Sequence, residues 1–195
     1  MSANSFKRWG KVWCVGAFLG MLIVNISSET ILKQSHFLDA DFLIQLKIMN
    51  LDKGQLFIYY FRQRMGVALA LGVVSTTYLG GLAGIIFLLW FGGSIGIFFA
   101  MALLRYGVKG ILLFAAGIFP HYLFYVPAFG MLLYWGRRVC KEMYAKKHLN
   151  SSNIIEAMKE SKVMFAAVAM GLILIGVYAE AFWNIPIIQG LLKIF

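Results

Sequence analysis

The sequence predicts an all-α, polytopic helical membrane protein with about five transmembrane helices and an amphipathic helical segment after the first. Three observations carry that expectation. Hydrophobic residues make up 61% of the 195-residue chain and charged residues only 13%, against roughly 25% charged in soluble domains. Four apolar stretches are long enough to cross or nearly cross a bilayer, for which a helix needs about 20 apolar residues. The formal charge of +10 comes largely from Lys and Arg beside those stretches, where they set topology and meet anionic headgroups. Nucleic acid is not an expected partner, and no segment is long enough for a soluble catalytic domain.

The chain reads as one integral membrane domain, 1–195. Lys7, Arg8 and Lys11 precede the first apolar run, 12–26. A basic start and a short apolar run imitate a secretory signal peptide. The run instead leads into Asn25-Ile26-Ser27-Ser28-Glu29 without a small-x-small cleavage site, so a retained helix is expected. Residues 27–64 form the main polar segment. Leu38, Phe42, Leu46 and Met49 recur in it near helical spacing, which predicts an amphipathic helix on or across the spans. Lys53-Gly54 is expected to break that helix.

The second span is placed at 65–79, with Gly80-Gly81 as a tight turn. The third covers 82–104, the fourth 111–135 with Pro120 and Pro127 inside it, and the fifth 163–183. Between the last two lies a basic segment, 137–162, expected in the cytoplasm. The positive-inside rule favours a cytoplasmic N-terminus and an extracytoplasmic C-terminus. Arg62 and Arg64 fall on the wrong side of it. Gly16 and Gly20, Gly80 and Gly84, and Gly92 and Gly96 recur at helix-packing spacing, which lets backbones approach closely. An odd span count argues against a simple inverted-repeat transporter. Cys14 and Cys140 fall in different compartments under this topology, so no disulfide is expected.

Two places could carry chemistry. Glu180, six residues before Pro186, puts a carboxylate inside the last apolar stretch, where an ionisable group is costly and functional by default. Arg105 or Lys109 would neutralise it; the bland reading is a helix-tethering hydrogen bond to Asn25, a tyrosine or opened backbone. For such a tether Glu180→Gln would suffice. In the fourth span, Pro120 and Pro127 each remove a backbone donor, and His121, Tyr122 and Tyr125 lie close enough in sequence to satisfy freed carbonyls. A structural role for His121 outweighs proton transfer. Asp39 and Asp41 read as a solvated surface, and His36 stands alone. The chain has no Walker A loop, GxSxG elbow, HExxH or CxxC pattern, so no enzyme, metal or cofactor is expected.

Three places together resemble the stage II sporulation protein M family of spore-forming bacteria. They are Ile23-Val24-Asn25, then Pro120-His121 followed by Pro127-Ala128-Phe129, and Glu180-Ala181 with Pro186. Many relatives outside sporulation carry a Gly where Tyr122 stands and a Glu where Tyr125 stands; members of the sporulation branch also lack that acid. The resemblance implies a role in forespore engulfment, in the mother-cell and septal membrane. There the protein would anchor or localise the membrane-anchored stage II sporulation proteins D and P, which degrade and remodel peptidoglycan. The competing expectation is a permease-like subunit working with an ATPase, suggested by the kinked fourth span and Glu180.

Overall fold

The computed structural model describes residues 3–29, 38–48, 52–75, 77, 79–145 and 163–193. Among them there is no strand. The helices are α1 (Ala3–Ile26), α2 (Ala40–Ile48), α3 (Lys53–Ser75), α4 (Gly80–Tyr106), α5 (Val108–Ile118), α6 (Tyr122–Ala145), α7 (Val163–Ala179) and α8 (Ile185–Leu191), with a π-helical turn, Glu180–Asn184, between the last two. They form two compact units that alternate along the chain. The first draws on Met1–Asp52, Ile85–Phe119 and Phe182–Phe195, the second on Lys53–Gly84 and Pro120–Ala181.

In the first unit, α1 and α4 meet backbone to backbone. On α1, Gly16, Gly20 and Val24 are buried; on α4, Gly92, Gly96 and Ala100 are. Each set steps by four residues, so each lies along one ridge of its helix. A Cβ on Gly16 would sit 2.5 Å from the Leu89 carbonyl oxygen, and one on Gly92 or Gly96 would strike the carbonyl of Trp13 or Ala17. Gly16 and Gly20 with Gly92 and Gly96 thus form one interface, built from the small residues that membrane helices use in place of a hydrophobic drive, whereas Gly80 and Gly84 approach Ser75 and Leu133. Gly107 ends α4 at φ 54 and donates its N–H to Leu103 at 2.8 Å. That left-handed turn suits a residue without Cβ. Val24, Leu38, Leu43, Met101, Leu113 and Leu192 then close the unit's core.

In the second unit, α3, α6 and α7 pack around α6. Arg64, Ala68, Leu71 and Ser75 mark one face of α3, and Tyr125, Phe129, Leu132, Gly136 and Val139 one face of α6. Ala169, Ile173, Val177 and Glu180 continue a single face through α7 into the π-turn. Gly136 admits Ser75, and Gly176 admits the Tyr125 ring. The apolar layers therefore align the polar ends of three faces.

Phe18, Leu19 and Ile23 on α1, Ile86 and Trp90 on α4, and Met164 and Ile175 on α7 point outward. So much exposed apolar surface is foreign to a soluble monomer and natural in lipid. Arg8–Ile26, Gly80–Tyr106 and Met164–Leu191 are each long and apolar enough to cross a bilayer, and Val108–Ile118 with Tyr122–Lys141 makes a fourth if the interrupted pair acts as one span. The fold is an all-α polytopic membrane fold.

Several local expectations are corrected. Lys53 opens α3 rather than ending the preceding helix, so the expected second span, 65–79, is the latter part of a longer helix ending at Ser75. The turn falls before Gly80-Gly81, where Gly80 donates to Thr77 at 3.0 Å, and Gly80 already belongs to α4. The fourth span, expected to contain both prolines, is interrupted at residues 119–121 by Pro120 alone, and its second helix runs on to Ala145. On α2 the buried residue is Leu43, while Phe42 is exposed; Met49 and His36 lie outside the described residues, as do 146–162 of the basic segment.

Gly96→Ala is expected to cost about 1–3 kcal/mol, because the added carbon meets fixed backbone. Gly171→Ala, with open space around it, is expected to be neutral or mildly stabilising. Thermal unfolding of both variants in detergent checks the contrast.

Candidate functional site

The polar ends of the three faces in the second unit converge on Glu180. Its carboxylate accepts two hydrogen bonds from Arg64, from Nη2 to Oε1 at 2.8 Å and from Nε to Oε2 at 3.2 Å. Tyr125 donates its hydroxyl to Oε2 at 2.6 Å. The guanidinium carbon also lies 5.1 Å from the centre of the Tyr125 ring, within cation–π reach. Glu180 is 5% exposed and Tyr125 fully buried. Two-pronged Arg–carboxylate geometry is the strong form of such pairs, and a buried pair needs it to offset desolvation of both charges.

The backbone around the site has its own causes. Pro186 lacks an N–H and its ring crowds the carbonyl one turn back. The chain relieves this by widening into the π-turn Glu180–Asn184 before α8 begins, with proline in its first turn. Single π-turns inside α-helices recur at functional positions. Pro120 acts differently. It drives Phe119 to extended angles, φ −82 and ψ 139, as expected of a residue before proline. That ends α5 and leaves its last carbonyls without helical donors. Asn184, at the far end of the π-turn, donates from Nδ2 to one of them, Gly117, at 3.3 Å.

His121 restarts the chain: its carbonyl accepts the N–H groups of Phe124 and Tyr125 at 3.0 and 3.1 Å. The imidazole is 3% exposed and stands edge-on to Tyr122 and Tyr125, with ring centres 5.0 and 5.6 Å away. Its Nδ1 and the Oδ1 of Asn184 find no hydrogen-bond partner among the described residues.

Of the residues singled out in the sequence, the structure brings Tyr125 and Glu180 into contact and sets His121 against Tyr125. Pro120 is buried at the break. Pro127 is exposed inside α6, which runs through it unbroken, so it does not open the helix. Asn25 is exposed on α1, and Pro186 is exposed on α8. The expected partner of Glu180 is corrected: it is Arg64, whereas Arg105 pairs with Asp39. Asp39 is accordingly an ion-pair partner and not a purely solvated surface. Arg64 was the residue that sequence reasoning missed. The available signal was its spacing, four, seven and eleven residues before Ala68, Leu71 and Ser75, together with its violation of the positive-inside rule.

Residues 11–184 match the family model described as stage II sporulation protein M. The chain belongs to the stage II sporulation protein M family. It is thus a sporulation-related membrane protein, and the motifs that carried the resemblance include those that build the Glu180 site. No curated protein and no solved structure matches the chain.

Because the partner of Glu180 is a cation, glutamine is no substitute for it. Glu180→Gln or Arg64→Met alone is expected to cost about 3–5 kcal/mol by stranding a buried charge. The Arg64→Met/Glu180→Met pair is expected to recover most of that loss, and Tyr125→Phe to cost about 1 kcal/mol. A double-mutant cycle read by thermal unfolding in detergent checks all three; full additivity of the two single losses would contradict the pairing.

Proposed function

We propose that the protein is a non-enzymatic membrane scaffold that anchors or localises peptidoglycan-degrading enzymes during forespore engulfment. Its proposed partners are the membrane-anchored stage II sporulation proteins D and P, and its proposed place is the mother-cell and septal membrane. The observation that carries this reading is the closure of the Glu180 site. Both carboxylate oxygens are engaged by Arg64 and Tyr125, which suits a fastening between helices better than a base, nucleophile or ion relay. Family membership supplies the process in which such a scaffold acts.

The proposed topology has five spans, α3 included, with the N-terminus and the basic 137–162 segment in the cytoplasm and the C-terminus outside. Contacts within the first unit support it. Tyr106, at the end of α4, donates to the Leu38 carbonyl at 2.7 Å, and Gln189, near the end of the last apolar helix, donates to the Leu46 carbonyl at 3.0 Å. The segment after span one, the end of span three and the end of span five thus meet, as they must if all three emerge on one side. On that side the part of the 27–64 segment that precedes α3 is proposed to meet extracytoplasmic enzymes.

Affinity purification of the tagged protein from sporulating cells in mild detergent is expected to recover peptidoglycan hydrolases. A strain lacking the protein is expected to stall in engulfment. Recovery of a nucleotide-binding ATPase in place of hydrolases, or complete engulfment in the deletion strain, would favour the transport reading.

A further inference from the structure

Two arginines fall on the wrong side of the positive-inside rule, and Glu180 accounts for only one of them. Arg64 belongs to the face of α3 that meets α6 and α7, with Ala68, Leu71 and Ser75. Arg62 points the other way. At 3.6 residues per turn, a shift of two residues carries a side chain to nearly the opposite side of a helix. Arg62, Gln63, Gly66, Leu69, Ala70 and Val73 are all exposed, and their three- and four-residue steps set them along one outward stripe. Among the described residues Arg62 makes no hydrogen bond or ion pair.

Its depth makes that exposure costly. Glu180 lies inside Met164–Leu191, a helix long and apolar enough to cross a bilayer, roughly 16 Å from the nearer end at about 1.5 Å per residue. The two-pronged contact holds Arg64 at the level of Glu180, and Arg62 is only about 3 Å further along α3. A guanidinium facing hydrocarbon at this level needs an anion, and an ionised residue in that position marks a functional surface by default. Gly66 lies one turn along the same stripe, and a Cβ built there would meet nothing within 4 Å. Ala70 follows a turn later. The same spacing of small residues brings α1 and α4 backbone to backbone in the first unit, but on α3 it faces outward.

A phospholipid carries its phosphate in the headgroup layer rather than at this depth, and its acyl chains gain little from a bare backbone. A second copy of this chain, docked by the same face about a two-fold axis, would set Arg62 against Arg62. A helix of another membrane protein meets both demands when it carries one carboxylate: close approach over Gly66 and Ala70, and a bidentate counter-charge for the guanidinium. We propose that the outward face of α3 docks a transmembrane helix of a different protein, with a single Asp or Glu set against Arg62. The surface follows from the membrane fold and the Arg64–Glu180 contact, whether or not the partners are hydrolases.

The test uses the purified full-length protein in vesicles of neutral phosphatidylcholine, with a donor dye on a C-terminal tag. The probes are synthetic leucine–alanine transmembrane peptides that carry an acceptor dye and either one Glu or one Gln at the depth of Arg62. Energy transfer is expected to show the wild type binding the Glu peptide roughly tenfold more tightly than the Gln peptide. Arg62→Gln is expected to remove that preference and to leave thermal unfolding unchanged, since the side chain is exposed. Arg62→Lys is expected to keep part of it. Gly66→Ile fills the ridge while leaving the charge, and is expected to weaken binding of both peptides. Equal binding of the two peptides by the wild type would overturn the proposal, as would a preference that survives in Arg62→Gln. So would loss of the preference when phosphatidylglycerol is mixed into the vesicles, which would make a lipid headgroup the partner of Arg62. Energy transfer between two labelled copies of the protein that Arg62→Gln abolishes would equally overturn it, in favour of self-association.

Discussion

A charge taken into hydrocarbon has to be neutralised where it stands, and Arg64 and Glu180 do this for one another in the second unit. The cost of desolvating both groups is several kcal/mol per ion, so the pair persists only with good geometry and further hydrogen bonding. The two-pronged contact supplies the first, and the Tyr125 hydroxyl supplies the second. Everything else in this unit follows from holding three side chains from three helices in register. Small residues at Gly136 and Gly176 let α6 receive Ser75 and seat its own tyrosine. The π-turn keeps Glu180 on the face that α7 presents.

The first unit solves the same problem of holding membrane helices together by opposite means. Its helices α1 and α4 bring almost bare backbones into contact along glycine ridges, and its ion pair, Arg105–Asp39, lies at the end of a span, where Asp39 is 39% exposed. Water tempers such a pair, which stabilises little beyond about 1 kcal/mol. One unit therefore depends on shape and the other on charge. Substitutions should separate them: loss of charge is felt most in the second, whereas added bulk at the close-packed glycines is felt in both.

Much of this was legible in the sequence, and the exceptions have physical reasons. The glycine spacings announced close backbone approach, because four-residue steps of small residues have little use otherwise, but not that α1 and α4 would be the helices to meet. Glu180 announced itself by its cost. Its partner did not, because pairing 116 residues away depends on which helices adjoin, and Arg105 and Lys109 lay closer to the expected depth. The break at Pro120 was visible, but proline alone does not say which kind of disruption follows. Pro120 ends a helix, Pro127 is absorbed by one, and Pro186 is accommodated by a wider turn upstream. The boundary between α2 and α3 was misplaced because Gly54 is a weak breaker, costing about 1 kcal/mol in a helix interior, which the long α3 tolerates.

The distance in sequence between Arg64 and Glu180 also has a meaning in time. A ribosome delivers α3, with its arginine, long before the helix that carries the carboxylate exists. During that interval the cation has no counter-charge from Glu180. Arrival of the final helix supplies the carboxylate and closes the pair. The pairing that aligns the three faces of the second unit is therefore complete only once the C-terminal part of the chain has been made.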